Sequence, residues 1–181
     1  MLQRYQRRTR RSSPGVAAAV MYFSPELEQA VHFAGESSRT THGAREWVDA
    51  CRYFAALLHT AYQGVSKGSL LACDLYAPET PKVAAIQQGS YRDKDIQQIK
   101  GSGYVIDCLE AALWCFARTD SFAEAVLAAA NLGDDADTTA AVCGQIAGAY
   151  YGLEGIPAHW RERVTMAEGI LELADRLLDK L

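Results

Sequence analysis

The sequence predicts an all-helical fold, and three observations carry that prediction. Trp47, Cys51, Phe54, Leu58 and Ala61 recur at spacings of four, three, four and three, the period of one apolar helix stripe. Thr138 to Tyr151 is rich in small residues, and Ala140, Ala141, Gly144, Ala147 and Gly148 let a neighbouring backbone come close, as in a helix at the centre of a packed core. No segment shows the sustained alternation of a strand, and there is no internal repeat. A chain of 181 residues, 49% of them apolar, is long enough to bury a sizeable core as one domain.

Taken in order, Ser24-Pro25-Glu26 reads as a helix start, with serine as the cap, proline in the first turn and an acid facing the positive helix end. That helix is expected to run to about Ser37. After a polar stretch from Ser37 to Gly43 comes the helix carrying Trp47 to Ala61, with Gly64 as its stop. Pro78, Pro81, Gly89, Gly101 and Gly103 punctuate the next segment, which is expected to hold a short helix near Pro81 to Gln88 and then an irregular loop. The helical period resumes from Tyr104 through Val105, Leu109, Ala112 and Phe116. Ser121 followed by Glu124 has the spacing of a capping box and opens a helix ending near Asn131. After the helix from Thr138 to Tyr151, Pro157 and Trp160 suggest a turn, and Met166, Ile170, Ala174, Leu177 and Leu178 mark a last amphipathic helix.

Net charge of −4 hides an asymmetry, because Arg4, Arg7, Arg8, Arg10 and Arg11 precede the first acid and leave 13 bases against 22 acids in the rest. So acidic a body argues against nucleic acid as the partner, since binding a phosphate backbone needs a basic face. Residues 1–14 are expected to form a basic leader outside the core, with the helical domain over 15–181. Cys51, Cys73, Cys108, Cys115 and Cys143 are odd in number, widely spaced and lack a CxxC pair, so they read as reduced core residues of a cytoplasmic protein. No apolar run is long enough for a membrane span.

Chemistry points first to Gly133-Asp134-Asp135-Ala136-Asp137-Thr138. Its three carboxylates repel one another, and a hard divalent cation offsets that repulsion. Magnesium or manganese prefers oxygen ligands, and two carboxylates with a hydroxyl such as Thr138 supply part of an octahedral shell. The alternative is an ordinary helix N-terminus, which favours acids through its dipole and uses Asp or Thr as a cap. His42, after two threonines, suits stacking on a base or bonding a diphosphate, or is an ordinary surface histidine. Gly101-Ser102-Gly103-Tyr104 lets backbone amides approach an anion, with Tyr104 as a stacking ring.

The run from Asn131 to Ala140, continuing through Gly144-Gln145-Ile146-Ala147-Gly148-Ala149-Tyr150-Tyr151-Gly152, closely resembles the C-terminal signature of the ADP-ribosylglycohydrolase (dinitrogenase-reductase-activating glycohydrolase) family. Ser37-Ser38-Arg39-Thr40-Thr41-His42-Gly43 and Asp49-Ala50-Cys51 resemble its central segment, and Gly101-Ser102-Gly103-Tyr104-Val105 its substrate-lining loop. The resemblance covers about residues 15 to 165. It implies a compact orthogonal helical bundle, hydrolysis of N- or O-glycosidic ADP-ribose linkages, and Mg2+ (or Mn2+) as cofactor. It implies Asp135, Asp137 and Thr138 as metal ligands, with His42, Gly103, Tyr104 and Asp134 lining the ADP-ribose site. The partner implied is ADP-ribose or an ADP-ribosylated protein.

Family members are longer, and their N-terminal half brings a Thr-Asp-Asp-Thr metal loop, a water-activating acid and a Gly-Asn-Gly-Ser phosphate loop that do not occur here. The expectation is therefore a truncated form of the fold. It is either a hydrolase completed by a second chain or by an assembly of identical chains, or an inactive relative that at most binds Mg2+ or ADP-ribose, and with either an uncovered bundle face is expected to drive homo-oligomers.

Overall fold

The structure is a computed structural model that describes residues 26–178, so Ser24, Pro25 and the basic leader lie outside the described residues. The described residues are helical with no strand. In chain order the elements are α1 (Leu27–Arg39), α2 (Arg45–Tyr62), α3 (Lys67–Leu71), α4 (Pro81–Gln87), a 3-10 turn (Ile96–Gln98), α5 (Val105–Ala117), α6 (Phe122–Ala130), α7 (Ala136–Gly155), α8 (Ala158–Arg161) and α9 (Ala167–Leu178).

The expected stripe on α2 is only part of its buried surface. Val48, Ala50, Tyr53, Ala55, Ala56 and Leu57 are buried as well, because α2 is flanked by α1, α3, α4, α5 and α7. It is the central helix, and fully enclosed side chains such as Phe54 and Leu57 each contribute about 1.5–3 kcal/mol by burial. α2 ends where sequence placed it, with Gly64 at φ +68° donating its amide to the Ala61 carbonyl at 3.1 Å.

α5 and α7 complete the core. Val105, Leu109, Ala112 and Phe116 of α5 are buried, and α7 faces inward with Thr139, Val142, Cys143, Ile146 and Ala147. Ala141, expected among the small packing residues, is exposed instead. All five cysteines are buried and unbridged. Burial pushes the Cys51 and Cys115 thiols up to about 11 and those of Cys108 and Cys143 up to about 12, so they are inert thiols at neutral pH.

Local capping explains the joints. Ser121 Oγ accepts the Glu124 amide at 3.2 Å as the capping box requires, but the Glu124 carboxylate takes the Asp120 amide at 3.0 Å, one residue earlier than the motif predicts. Lys67 holds the far end of α5, donating to the Phe116 carbonyl at 3.2 Å, to the Thr119 carbonyl, and to the Tyr151 hydroxyl at 2.8 Å. A cation at a helix C-terminus is favoured by the dipole.

Beyond Gly152, at φ +71°, α7 kinks, and Pro157 caps the short α8 where a simple turn was expected. Met166 was expected in the last helix but precedes it at φ +63°, and is 77% exposed. An apolar cavity of about 570 Å³ lies between Phe122, Val126 and Gly144 on one side and Trp160, Ile170 and Leu171 on the other. Among the described residues no helix is long and apolar enough to cross a membrane.

Candidate functional site

The acidic loop is shaped by two consecutive left-handed residues, Gly133 at φ +79° and Asp134 at φ +55°. Glycine adopts this conformation without penalty, and aspartate is one of the few other residues that tolerate it. The reversal sets Asp135 at the cap position of α7, where its carbonyl accepts from the Thr139 amide at 3.1 Å and the Thr139 hydroxyl at 3.2 Å.

A second loop closes against it. The Asp135 amide donates to the Gly101 carbonyl at 2.7 Å. A Cβ on Gly101 would stand 3.0 Å from the Gly133 carbonyl oxygen, and one on Gly103 would stand 3.2 Å from Asp135 Oδ2. The glycines of the 101–104 segment thus permit close approach, Gly101 to the Gly133 carbonyl and Gly103 to the Asp135 carboxylate.

The helix dipole accounts for acids at the start of α7. It does not account for Thr138, whose hydroxyl is buried without a hydrogen-bond partner one residue after Asp137. A buried hydroxyl left unpaired costs about 1–3 kcal/mol. An oxygen atom with open lone pairs beside aspartates suits the donor set that a hard cation takes. Among the described residues no group of three or more His, Cys, Asp and Glu side chains is placed to hold a metal ion.

Tyr104, at the cap of α5, ties this region to two other helices. Its hydroxyl donates to Glu46 Oε2 on α2 and accepts from Lys82 Nζ on α4 at 2.8 Å, while Lys82 also pairs with Glu46 Oε1 at 3.1 Å. The Tyr104 hydroxyl and then the Lys82 ammonium hold the Glu46 carboxyl below its ordinary 4.5. Burial, then the bond to Glu46, raises Tyr104 above its ordinary 10.0. The Glu46 contribution is thus present above pH 4.5 and lost as pH falls through its lowered folded value, and that of Tyr104 is present below pH 10 and lost as pH rises through its raised one. Glu46→Gln is expected to melt below the parent near neutral pH, with the gap closing under acid. A gap that widens on acidification contradicts this tether.

His42 lies at the entry to α2, half-buried, its ring stacked on Trp47 at 4.2 Å and 16°, with Nδ1 3.0 Å from Thr41 Oγ1. One face of the imidazole is thus occupied, and the pair sits next in sequence to Glu46. Of the residues singled out by sequence, Asp134 and Asp135 lie in the loop before α7, Asp137 and Thr138 in its first turn, and Gly103 and Tyr104 in the loop that closes against it. His42 joins them only through the start of α2.

Glu46 and Lys82 carried no sequence signal, because residues 46, 82 and 104 meet only in the folded chain. Asp49 is a stronger case. It is 1% exposed, and its carboxylate accepts from the Tyr76 hydroxyl at 2.7 Å, the Glu79 amide at 3.0 Å, the Thr80 amide at 2.7 Å and the Thr80 hydroxyl. It thereby serves as the N-terminal anchor of α4 and fixes the helix that carries Lys82.

The family model described as ADP-ribosylglycohydrolase matches residues 8–181. The chain belongs to this family. ADP-ribosylglycohydrolase relatives include the ADP-ribosylarginine hydrolase Tri1 of Pseudomonas putida (strain GB-1), 45% identical over 143 residues, covering 79% of this chain and 38% of that protein. The ADP-ribosylarginine hydrolase Tri1 of Serratia proteamaculans (strain 568) is 40% identical over 151 residues, covering 83% of this chain and 41% of its own length. A solved structure described as an ADP-ribosylglycohydrolase-related protein complex superposes with a TM-score of 0.81 at 38% identity, covering 88% of this chain and 56% of that one. The all-helical ADP-ribosylglycohydrolase fold is thereby shown for this chain, which spans about two-fifths of the length of these Tri1 relatives.

Proposed function

We propose that the chain takes part in hydrolysing the glycosidic bond between ADP-ribose and a modified protein side chain, arginine foremost, with Mg2+ (or Mn2+) held by Asp135, Asp137 and Thr138. The observation that carries the metal half of this reading is the buried, unpartnered Thr138 hydroxyl in the first turn after two aspartates. Arginine comes from the activity printed in the names of the Tri1 relatives. When bound, such a cation polarises sugar hydroxyls and stabilises charge as the glycosidic bond breaks.

The chain's own residues then have separable tasks. Asp135 is fixed through its backbone to Gly101, so its carboxylate is positioned before any ligand arrives. Gly103, having no side chain, lets that carboxylate close against its own backbone. Tyr104 is held by Glu46 and Lys82 next to Gly103, and the His42–Trp47 stack offers an aromatic surface of the kind a purine packs on. Asp134 is carried beside the pair by its left-handed backbone.

The test is to incubate the purified chain with ADP-ribosylated arginine protein and Mg2+ and to measure released ADP-ribose. Release that stops when the metal is chelated is the expected result. A second reading, a relative that binds Mg2+ or ADP-ribose without turnover, is favoured by the incomplete ligand set of the described cluster. It predicts calorimetric binding of either ligand with no release. A chain that binds neither and releases nothing overturns both readings.

A further inference from the structure

The apolar cavity of about 570 Å³ between Phe122 and Gly144 on one side and Ile170 and Leu171 on the other is open to solvent, since four residues that line it stay about half exposed: Leu153 (55%), Val164 (49%), Ile170 (54%) and Leu171 (56%). Met166 and Leu173, about one turn before and after Ile170, are 77% and 56% exposed. Six large aliphatic side chains thus gather at one end of the chain. We propose that two copies of the chain pair through this end, the α9 of each entering the cavity of the other about a twofold axis.

Area favours a protein surface as the occupant. At roughly 200 Å² for a fully exposed residue of this size, the six present about 600–700 Å², close to the ~800 Å² that each partner of a stable interface buries and above the largest apolar patch most monomers leave open. Among the described residues α9 is not one of the helices packed tightly on the bundle, so its apolar side remains available to a partner. The chain itself supplies both shapes at this one end, a ridge of Met166, Ile170 and Leu173 and the cavity beside it. A patch that complements itself closes about a twofold axis and stops at two copies.

Charge points the same way. Arg161 is the one charged residue among the described residues that line the cavity. Within its own chain it pairs only at long range, with Glu154 at 3.9 Å, an acid that is itself 89% exposed. Such a pair contributes little. The α9 helix carries Glu168 and Glu172 one turn apart, both exposed. Seated in the partner's cavity, that acidic edge meets a guanidinium, and the symmetry forms the contact twice.

The experiment is sedimentation velocity of the full chain from about 1 to 100 µM, the range in which a moderate dimer dissociates on dilution. A monomer–dimer equilibrium is expected. Leu171→Glu changes an exposed side chain, so the helical circular-dichroism spectrum is expected to stay as in the parent while the protein becomes monomeric. Arg161→Glu sets like charges against the incoming α9 and is expected to weaken the dimer at least about tenfold. Leu127→Glu, on α6 and outside the cavity lining, is expected to leave it unchanged. A monomer at every concentration overturns the proposal, and saturable binding of decanoate to that monomer would assign the cavity to a small apolar acid instead. Open-ended assemblies in place of a dimer, a dimer that survives Leu171→Glu, or one lost equally in Leu127→Glu also overturn it.

Discussion

A chain carrying Asp135→Ala together with Asp137→Ala is expected to lose its calorimetric magnesium signal while keeping its helical circular-dichroism spectrum. The two substitutions remove both carboxylates proposed to hold the cation, and a fall in affinity of at least about tenfold, or ~1.4 kcal/mol, follows. Helicity survives because the acids sit at the start of α7, where each contributes only about 0.3–1 kcal/mol through the dipole, whereas the helix is held by Val142, Cys143, Ile146 and Ala147 in the core. Thr138→Val sharpens the comparison. It preserves shape while deleting the unpaired hydroxyl, so the metal-free protein is expected to gain about 1 kcal/mol and to bind Mg2+ more weakly. Magnesium affinity that is equal in the parent and the double variant would falsify the metal reading.

The largest stability effect is expected at Asp49. Replacing it with alanine strips the acceptor from two amides and two hydroxyls at the start of α4, all gathered on one buried carboxylate. Each buried donor left unpaired costs about 1–3 kcal/mol, and partial entry of water limits the total to about 3–4 kcal/mol. Asp49→Asn keeps one acceptor oxygen but points an amide donor at donors, so about 2 kcal/mol is expected. Urea unfolding reads both effects as a lower midpoint at constant slope. If Asp49→Ala unfolds within 1 kcal/mol of the parent, the carboxylate is not the anchor of α4.

These two sites show what the sequence could and could not disclose. Helices α2, α4, α5 and α6 were legible because apolar spacing, a first-turn proline and a serine cap are local signals that the backbone obeys. The acidic loop was legible because carboxylates crowded at a helix start demand an account. Asp49 was quoted only within a resembling segment, since a lone acid in a helix pattern gives no sign of burial. Its partners lie 27 to 31 residues away. Glu46 and Lys82 were invisible for the same reason. Met166 was assigned to a helix by spacing alone, which cannot register that its backbone is left-handed. On α2 a single stripe understated the burial, because a central helix is enclosed on several sides and its alanines carry no periodic signal.

The single hydrogen bond from the Asp135 amide to the Gly101 carbonyl joins the chain before α7 to the chain before α5. Neither loop can be repositioned without straining the other. Two ligands that each order one of these loops are therefore linked, and linkage is reciprocal. Whatever factor the first adds to the affinity of the second, the second must return to the first. Cation and nucleotide, if titrated in either order, should close the same thermodynamic cycle.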